Sequence, residues 1–133
     1  MKLNLDAVRS VLLCLEQNLV ISEEGEFEVV SFKNVSKWCN LSVGETLNTL
    51  FALHDAGMIT AVIDHGSDMV YEFDVYRITF QGYQLLESIR PEKVFSNIKK
   101  AGTKVGSLTF QSAIDIAKAI TTPMLIEAAK AFL

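Results

Sequence analysis

The sequence is poor in everything that would staple, anchor or unfold a chain. Two cysteines in 133 residues cannot build a disulfide framework, and they read as buried thiols of an intracellular protein. Two prolines and seven glycines are too few for a linker-rich or low-complexity chain. Charged residues make up 21% and hydrophobic residues 50%, a balance that excludes intrinsic disorder. No uncharged apolar run reaches the roughly 18 residues that a spanning helix needs. Asp6, Arg9 and Glu16 interrupt any apolar stretch near the start, so no secretory signal is expected and the setting is read as cytoplasmic. What is there suffices for a normal core without metal or disulfide.

Charge is unevenly placed. Residues 1–89 hold 5 Lys/Arg against 13 Asp/Glu, whereas residues 90–133 hold 7 against 3. An acidic body and a basic tail can meet, within a chain or between chains, or can be two solvated surfaces of opposite sign.

Leu5, Val8, Leu12, Leu15 and Leu19 recur at helical steps, with Asn4 as N-cap and Asp6 in the first turn, fading near residues 17–20. Ser22-Glu23-Glu24-Gly25 is a polar turn. Glu26 to Phe32 reads as a short strand in which Phe27 and Val29 alternate with glutamates. A short helix over 34–39 takes Trp38 as its core anchor. Ser42 and Glu45 fit a capping box, and Gly57 supplies a left-handed stop, which predicts a helix over 43–56. Residues 58–64 and 69–79 flank the turn His65-Gly66-Ser67-Asp68 and predict a β-hairpin, with a bulge near Tyr76. Thr79 caps a further helix whose Tyr83, Leu86 and Ile89 face inward and which ends before Pro91.

Beyond Pro91, Val94, Phe95 and Ile98 mark a helix with Lys93, Lys99, Lys100 and Lys104 on its polar side. Gly102 and Gly106 bracket a flexible joint. Residues 110–120, and residues from Thr122-Pro123 onward, predict further helices, or one kinked helix. Their apolar residues either cap the core or build a subunit interface. The fold class expected is mainly α with a small β-hairpin: a winged helix-turn-helix-like domain over 1–90, and a helical extension over 91–133 that packs on it and oligomerises.

A family resemblance then emerges. Met1-Lys2-Leu3-Asn4, Asp6, Arg9, Leu12-Leu13, Leu15 and Glu16, then Leu50, Leu53 and Ala56-Gly57-Met58-Ile59, then Ile78-Thr79, Gly82, Leu86, Ile89-Arg90 and Phe95 resemble a family of short, uncharacterised proteins of bacteriophages and Gram-positive bacteria. The resemblance implies a winged-helix-like fold and a phage or prophage setting, and it brings no catalytic residues. Segment 22–40 departs from the family pattern, and Tyr83 and Phe95 stand where that family often has His and Trp.

A winged helix ordinarily presses its second motif helix and its wing on DNA, and that contact runs on Lys and Arg. Here helix 43–56 holds no Lys or Arg. It offers Glu45 and Asp55, with Thr46, Asn48 and Thr49 as neutral readers. The hairpin sets Asp64, Asp68, Glu72 and Asp74 against Arg77 alone. A protein partner is therefore expected, with Glu45, Asp55, Asp64 and Asp68 forming one contact surface and Lys93, Lys99, Lys100 and Lys104 another. The alternative is a DNA-binding regulator that uses Lys33, Lys37 and the 93–104 lysines. The C-terminal helices favour a homo-oligomer, and their narrow, lysine-poor polar face disfavours membrane binding.

No catalytic, cofactor or metal site is expected. Cys14, Cys39, His54 and His65 are the only soft ligands and lack zinc spacing. His54 follows the inward stripe of its helix, His65 sits in a turn, and no Cys–His nucleophile pair is marked. Glu23, Glu24, Glu26 and Glu28 read as a charged strand edge. Gly102 and Gly106 lack the setting of a phosphate loop.

Overall fold

A computed structural model describes residues 1–105, 110–115 and 119, with the backbone alone over 102–105. The elements run α1 (Leu5–Asn18), β1 (Val20–Ile21), β2 (Phe27–Glu28), β3 (Val30–Ser31), α2 (Phe32–Cys39), α3 (Val43–Asp55), β4 (Ile59–His65), β5 (Val70–Ile78), α4 (Phe80–Ile89) and α5 (Glu92–Val105). The described chain is mainly helical with small antiparallel sheets. It divides into two compact units, Met1–Tyr83 and Gln84–Leu133.

In the first unit the helix ends are written in side chains. Asn4 Oδ1 accepts from the backbone N–H groups of Asp6 at 2.9 Å and Ala7 at 3.4 Å, satisfying donors that α1 itself leaves open. Ser31 Oγ caps α2 and Ser42 Oγ caps α3. Asn40, in the left-handed region at φ +54°, ends α2, and Leu41 N–H donates back to the Ser36 carbonyl. Gly57, at φ +74°, ends α3 in the same way, with Met58 N–H donating to Leu53 O and Gly57 N–H to His54 O.

Val8, Val11, Leu12 and Leu15 of α1, Phe32 and Val35 of α2, and Leu50 and Leu53 of α3 are buried. On β5, Phe73 and Val75 join them, and the Phe51 and Phe73 rings meet edge to face at 5.0 Å. The main sheet has the order β3-β5-β4, all antiparallel. Thr60 pairs with Arg77 and Ala61 with Val75, so Tyr76 is the extra residue of a bulge, as expected. A second shift between Asp64 and His65 leaves Tyr71 extra. The bulge at Tyr76 lets Phe73, Val75 and Ile78 all point inward although their spacing is not strictly alternate.

Several expectations are corrected. Phe27 and Val29 are exposed, and Val30 and Phe32 are the buried residues of that segment. The chain makes two separate strands there, β2 pairing with β1 and β3 with β5. Trp38 is 50% exposed: α2 starts at Phe32, so its inward stripe is Phe32, Val35 and Ser36, and Trp38 falls off it. Tyr83 is exposed because the inward stripe of α4 is Gly82, Leu85, Leu86 and Ile89.

In the second unit Leu85, Leu86 and Ile89 are buried, as are Val94, Phe95 and Ile98 of α5. Arg90 pairs with Glu87 at 2.8 Å. Gly102 lies within α5 instead of at a joint, and residues 110–115 are helical. Gly106, the rest of the expected helix over 110–120, and the helix from Thr122 lie outside the described residues, apart from helical residue 119.

Of the glycines in the first unit, Gly82, at the base of the hairpin, has the least room for a side chain. A Cβ added to Gly82 would collide with the Met58 carbonyl oxygen and lie 2.7 Å from Ile78 Cγ2. Neither the backbone nor the buried isoleucine can move aside cheaply. Gly82→Ala is expected to destabilise the protein by about 1–3 kcal/mol, read as a lower urea midpoint at unchanged slope.

Candidate protein-contact groove

The apolar residues of α3 do not all face the core. Val43, Leu47 and Phe51, one helical turn apart, form a stripe that remains partly or largely open. Opposite it stands the tip of the β4–β5 hairpin. Between them lies a groove of about 900 Å³, closed at one side by Phe32 and Lys33 and lined along the tip from His65 to Tyr71. Val43, Met69 and Tyr71 are large, apolar or aromatic, and exposed. The tip is built by its own turn: Gly66 N–H donates to Met69 O at 2.8 Å, and His65 Nδ1 sits 2.8 Å from the Gly66 carbonyl oxygen.

The predicted contact residues are distributed around this groove unevenly. Asp68 lines it together with Lys33. Asp64 stands on β4 directly across from Glu72, both exposed, so two like charges share one rung of the ladder. Asp55 lies at the far end of α3, 3.8 Å from His54 Nδ1. Glu45 is tied elsewhere: its carboxylate accepts from Asn4 Nδ2 at 3.0 Å. It therefore completes only half of a capping box, Ser42 Oγ accepting from its N–H at 3.1 Å. The acidic residues form no single patch. The hairpin holds its own, and Glu45 belongs to the joint between α1 and α3.

The expected neutral readers are also corrected. Thr46 and Thr49 are buried, because they fall on the inward stripe with Leu50 and Leu53. Thr49 Oγ1 donates to the Glu45 carbonyl at 2.9 Å. Asn48 Nδ2 donates to the Lys2 carbonyl at 3.5 Å. In the second unit Lys93, Lys99 and Lys100 are exposed on α5, and Lys99 Nζ lies 4.9 Å from the centroid of the Phe95 ring. Lys104 is on the same helix, its side chain outside the described residues. Lys33 and Lys37 are exposed on α2.

A second, smaller groove, of about 540 Å³, brings together residues that the sequence did not link: Ser10, Cys14 and Asn18 of α1 with Trp38 and Cys39 of α2. Both cysteines are half-buried and free, not fully buried as expected. Cys39 Sγ lies 3.6 Å from the Ser10 carbonyl oxygen, and Asn18 Nδ2 lies 3.8 Å from Cys14 Sγ. A hydrogen bond from the Cys39 thiol pulls Cys14 down from the ordinary thiol range to about 7, against burial and with help from Asn18. That hydrogen bond, burial and the neighbouring charge all push Cys39 up. A separation of 25 positions carries no local pattern; only the packing of α1 on α2 brings the two thiols together.

Among the described residues no cluster of three or more His, Cys, Asp or Glu could hold a metal ion. No helix among them is long and apolar enough to cross a membrane. A family model described as a hypothetical protein (DUF2513) matches residues 2–109. No curated protein and no solved structure matches the chain.

The Asp64–Glu72 rung is a local cost carried by the acidic hairpin. Glu72→Lys is expected to stabilise the fold by about 0.5 kcal/mol, and the gain should shrink as salt is raised. Thermal melts at low and high ionic strength measure both.

Proposed function

The chain belongs to the DUF2513 family of hypothetical proteins, and from that premise we propose that it is a non-enzymatic winged-helix module for protein contact. Support for the winged-helix reading comes from the element order α1, β3, α2, α3, β4, β5 and the sheet order β3-β5-β4. That is a helix-turn-helix followed by a hairpin wing and closed by a short first strand. In this reading α3 is the helix that relatives of the architecture lay in a DNA groove, and β4–β5 is the wing.

One observation carries the preference for protein. The cleft between α3 and the wing tip is apolar, and its lining holds a single lysine, Lys33, together with Asp68. DNA affinity rises steeply with the number of phosphates neutralised, and this face supplies almost no cations. An apolar anchor inserted between Leu47, Phe51 and Met69 would gain from burial instead. Lys or Arg beside that anchor would meet Asp64, Asp68 and Glu72 on the wing. The partner class is thus a protein segment with an apolar anchor and basic flanks.

The same reading takes the setting as phage or prophage and cytoplasmic, with the basic stretch 93–104 as a second contact surface and self-association through the C-terminal helices. The alternative, a DNA-binding regulator, rests on Lys33, Lys37, Lys93, Lys99, Lys100 and Lys104.

Two measurements separate the readings. Display selection of short peptides on the folded protein should enrich apolar anchors flanked by Lys or Arg, with binding lost in Leu47→Asp. Acidic winners, or binding indifferent to that substitution, would overturn the groove assignment. In an electrophoretic shift with generic duplex at low salt no complex is expected. A salt-sensitive complex abolished by Lys33→Glu/Lys37→Glu or Lys99→Glu/Lys100→Glu would establish the DNA reading in its place.

A further inference from the structure

We propose that Cys14 and Cys39 form an oxidant-responsive thiol pair, which a hydroperoxide converts into a disulfide joining α1 to α2. The geometry is that of two helices presenting one thiol each to the same small groove. Cys39 Sγ lies over the turn of α1 that runs from Ser10 to Cys14, within 3.6 Å of the Ser10 carbonyl oxygen, and both sulfurs line one groove, with the Cys39 thiol close enough to pull the Cys14 pKa down. The Cys39 thiol thus has two acceptors for one proton. With Cys14 protonated the Ser10 carbonyl can take the bond. With Cys14 ionised, the negative sulfur is the better acceptor.

The two thiols are not equivalent. Cys14 is supported as a thiolate by two donors, the Cys39 thiol and Asn18 Nδ2. Cys39 is the last residue of α2, where the carbonyl end of the helix disfavours negative charge. This division of labour suits a nucleophile and a resolving thiol. The groove of about 540 Å³ that both line opens to solvent, so a small peroxide can reach Cys14.

The chemistry balances in two steps. The Cys14 thiolate attacks one peroxide oxygen; the O–O bond breaks, the sulfur is oxidised to a sulfenic acid, and the departing alkoxide or hydroxide takes up a proton. The Cys39 sulfur then attacks the Cys14 sulfur as its own proton leaves. The S–O bond breaks, water departs with that proton, and the disulfide remains. Across both steps the two thiols lose two electrons and the peroxide gains them. Small-molecule thiols return the pair to the reduced state by exchange.

Trp38 makes the event visible. It is the only tryptophan in the chain, it is half-exposed, and it lines the same groove as both sulfurs. The test is titration of the full chain with hydrogen peroxide, followed by thiol counting, intact mass and Trp38 fluorescence. The wild-type chain is expected to lose both thiols and two hydrogen atoms, to remain a single chain without reductant, and to recover fully on adding dithiothreitol. Cys39→Ser should halt at a sulfenic acid on Cys14, trapped by dimedone, and Cys14→Ser should resist oxidation. Since the thiolate fraction of Cys14 rises through about 7, the oxidation rate should climb with pH across that value and level off above it. A wild-type product that is chiefly intermolecular, or carries sulfinic acid on Cys14 with Cys39 still free, would overturn the proposal. So would a dimedone adduct on Cys39 in Cys14→Ser. Circular dichroism melts of both serine variants, expected to match wild type, keep misfolding apart from loss of chemistry.

Discussion

The first unit depends on one joint, the place where α3 ends, the hairpin begins and ends, and α4 begins. Thr79 sits at its centre. Its N–H donates to the Met58 carbonyl at 2.9 Å, its hydroxyl donates to the Gly57 carbonyl at 2.6 Å, and the same hydroxyl accepts from Gly82 N–H at 3.1 Å. The Met58 carbonyl is also what leaves Gly82 no room for a side chain. One threonine and two glycines therefore fix the angle at which the hairpin leaves α3, because both strand ends at that point are hydrogen-bonded to the same turn. The groove between α3 and the hairpin tip inherits its width from this joint.

Given that angle, the character of the groove follows from how α3 divides its residues. Thr46, Thr49, Leu50 and Leu53 turn inward, which leaves Val43, Leu47 and Phe51 to line the opening. Two threonines occupy core positions where apolar residues would serve, while apolar residues hold the outer stripe. The Thr49 hydroxyl is satisfied by a carbonyl one turn earlier, whereas the Thr46 hydroxyl has no hydrogen-bond partner among the described residues. For a helix whose only task was to fill a core, the reverse arrangement would be more stable. An exposed apolar stripe of this kind costs solubility, and it gains value when something covers it.

The elements themselves were largely legible in the sequence, and the reason is local. Asn4, Ser42, Gly57 and Thr79 act through hydrogen bonds to residues a few positions away, so their identities report helix ends directly. The bulge at Tyr76 was legible too, since Phe73, Val75 and Ile78 cannot share a face without one. What failed was rotational phase. Trp38 is large and aromatic, but α2 starts so as to turn Phe32, Val35 and Ser36 inward instead; on α4 the expected Leu86 and Ile89 are buried, and only Tyr83 gives way, to Leu85. The sequence also left β3 merged with β2, because a two-residue strand has no periodicity of its own; only its partner β5 defines it. At the groove, the lack of cations could be read from composition. The apolar stripe facing the hairpin tip could not, because it depends on where the hairpin points.

The helix α2 connects the two openings of the first unit. Its first residues, Phe32 and Lys33, line the larger groove, and its last, Trp38 and Cys39, line the smaller one. At eight residues it is about 12 Å long, too short to bend and held at both ends. Phe32 is buried and follows directly on β3, while Asn40 closes the other end in a left-handed turn. A covalent bond from Cys39 to α1 would therefore act on a rigid rod, not on a flexible loop. Any adjustment needed to bring the two sulfurs to bonding distance would be carried along α2 toward Phe32 and Lys33. The two grooves share no lining residue, so α2 is the element that links the thiol pair to a wall of the larger groove.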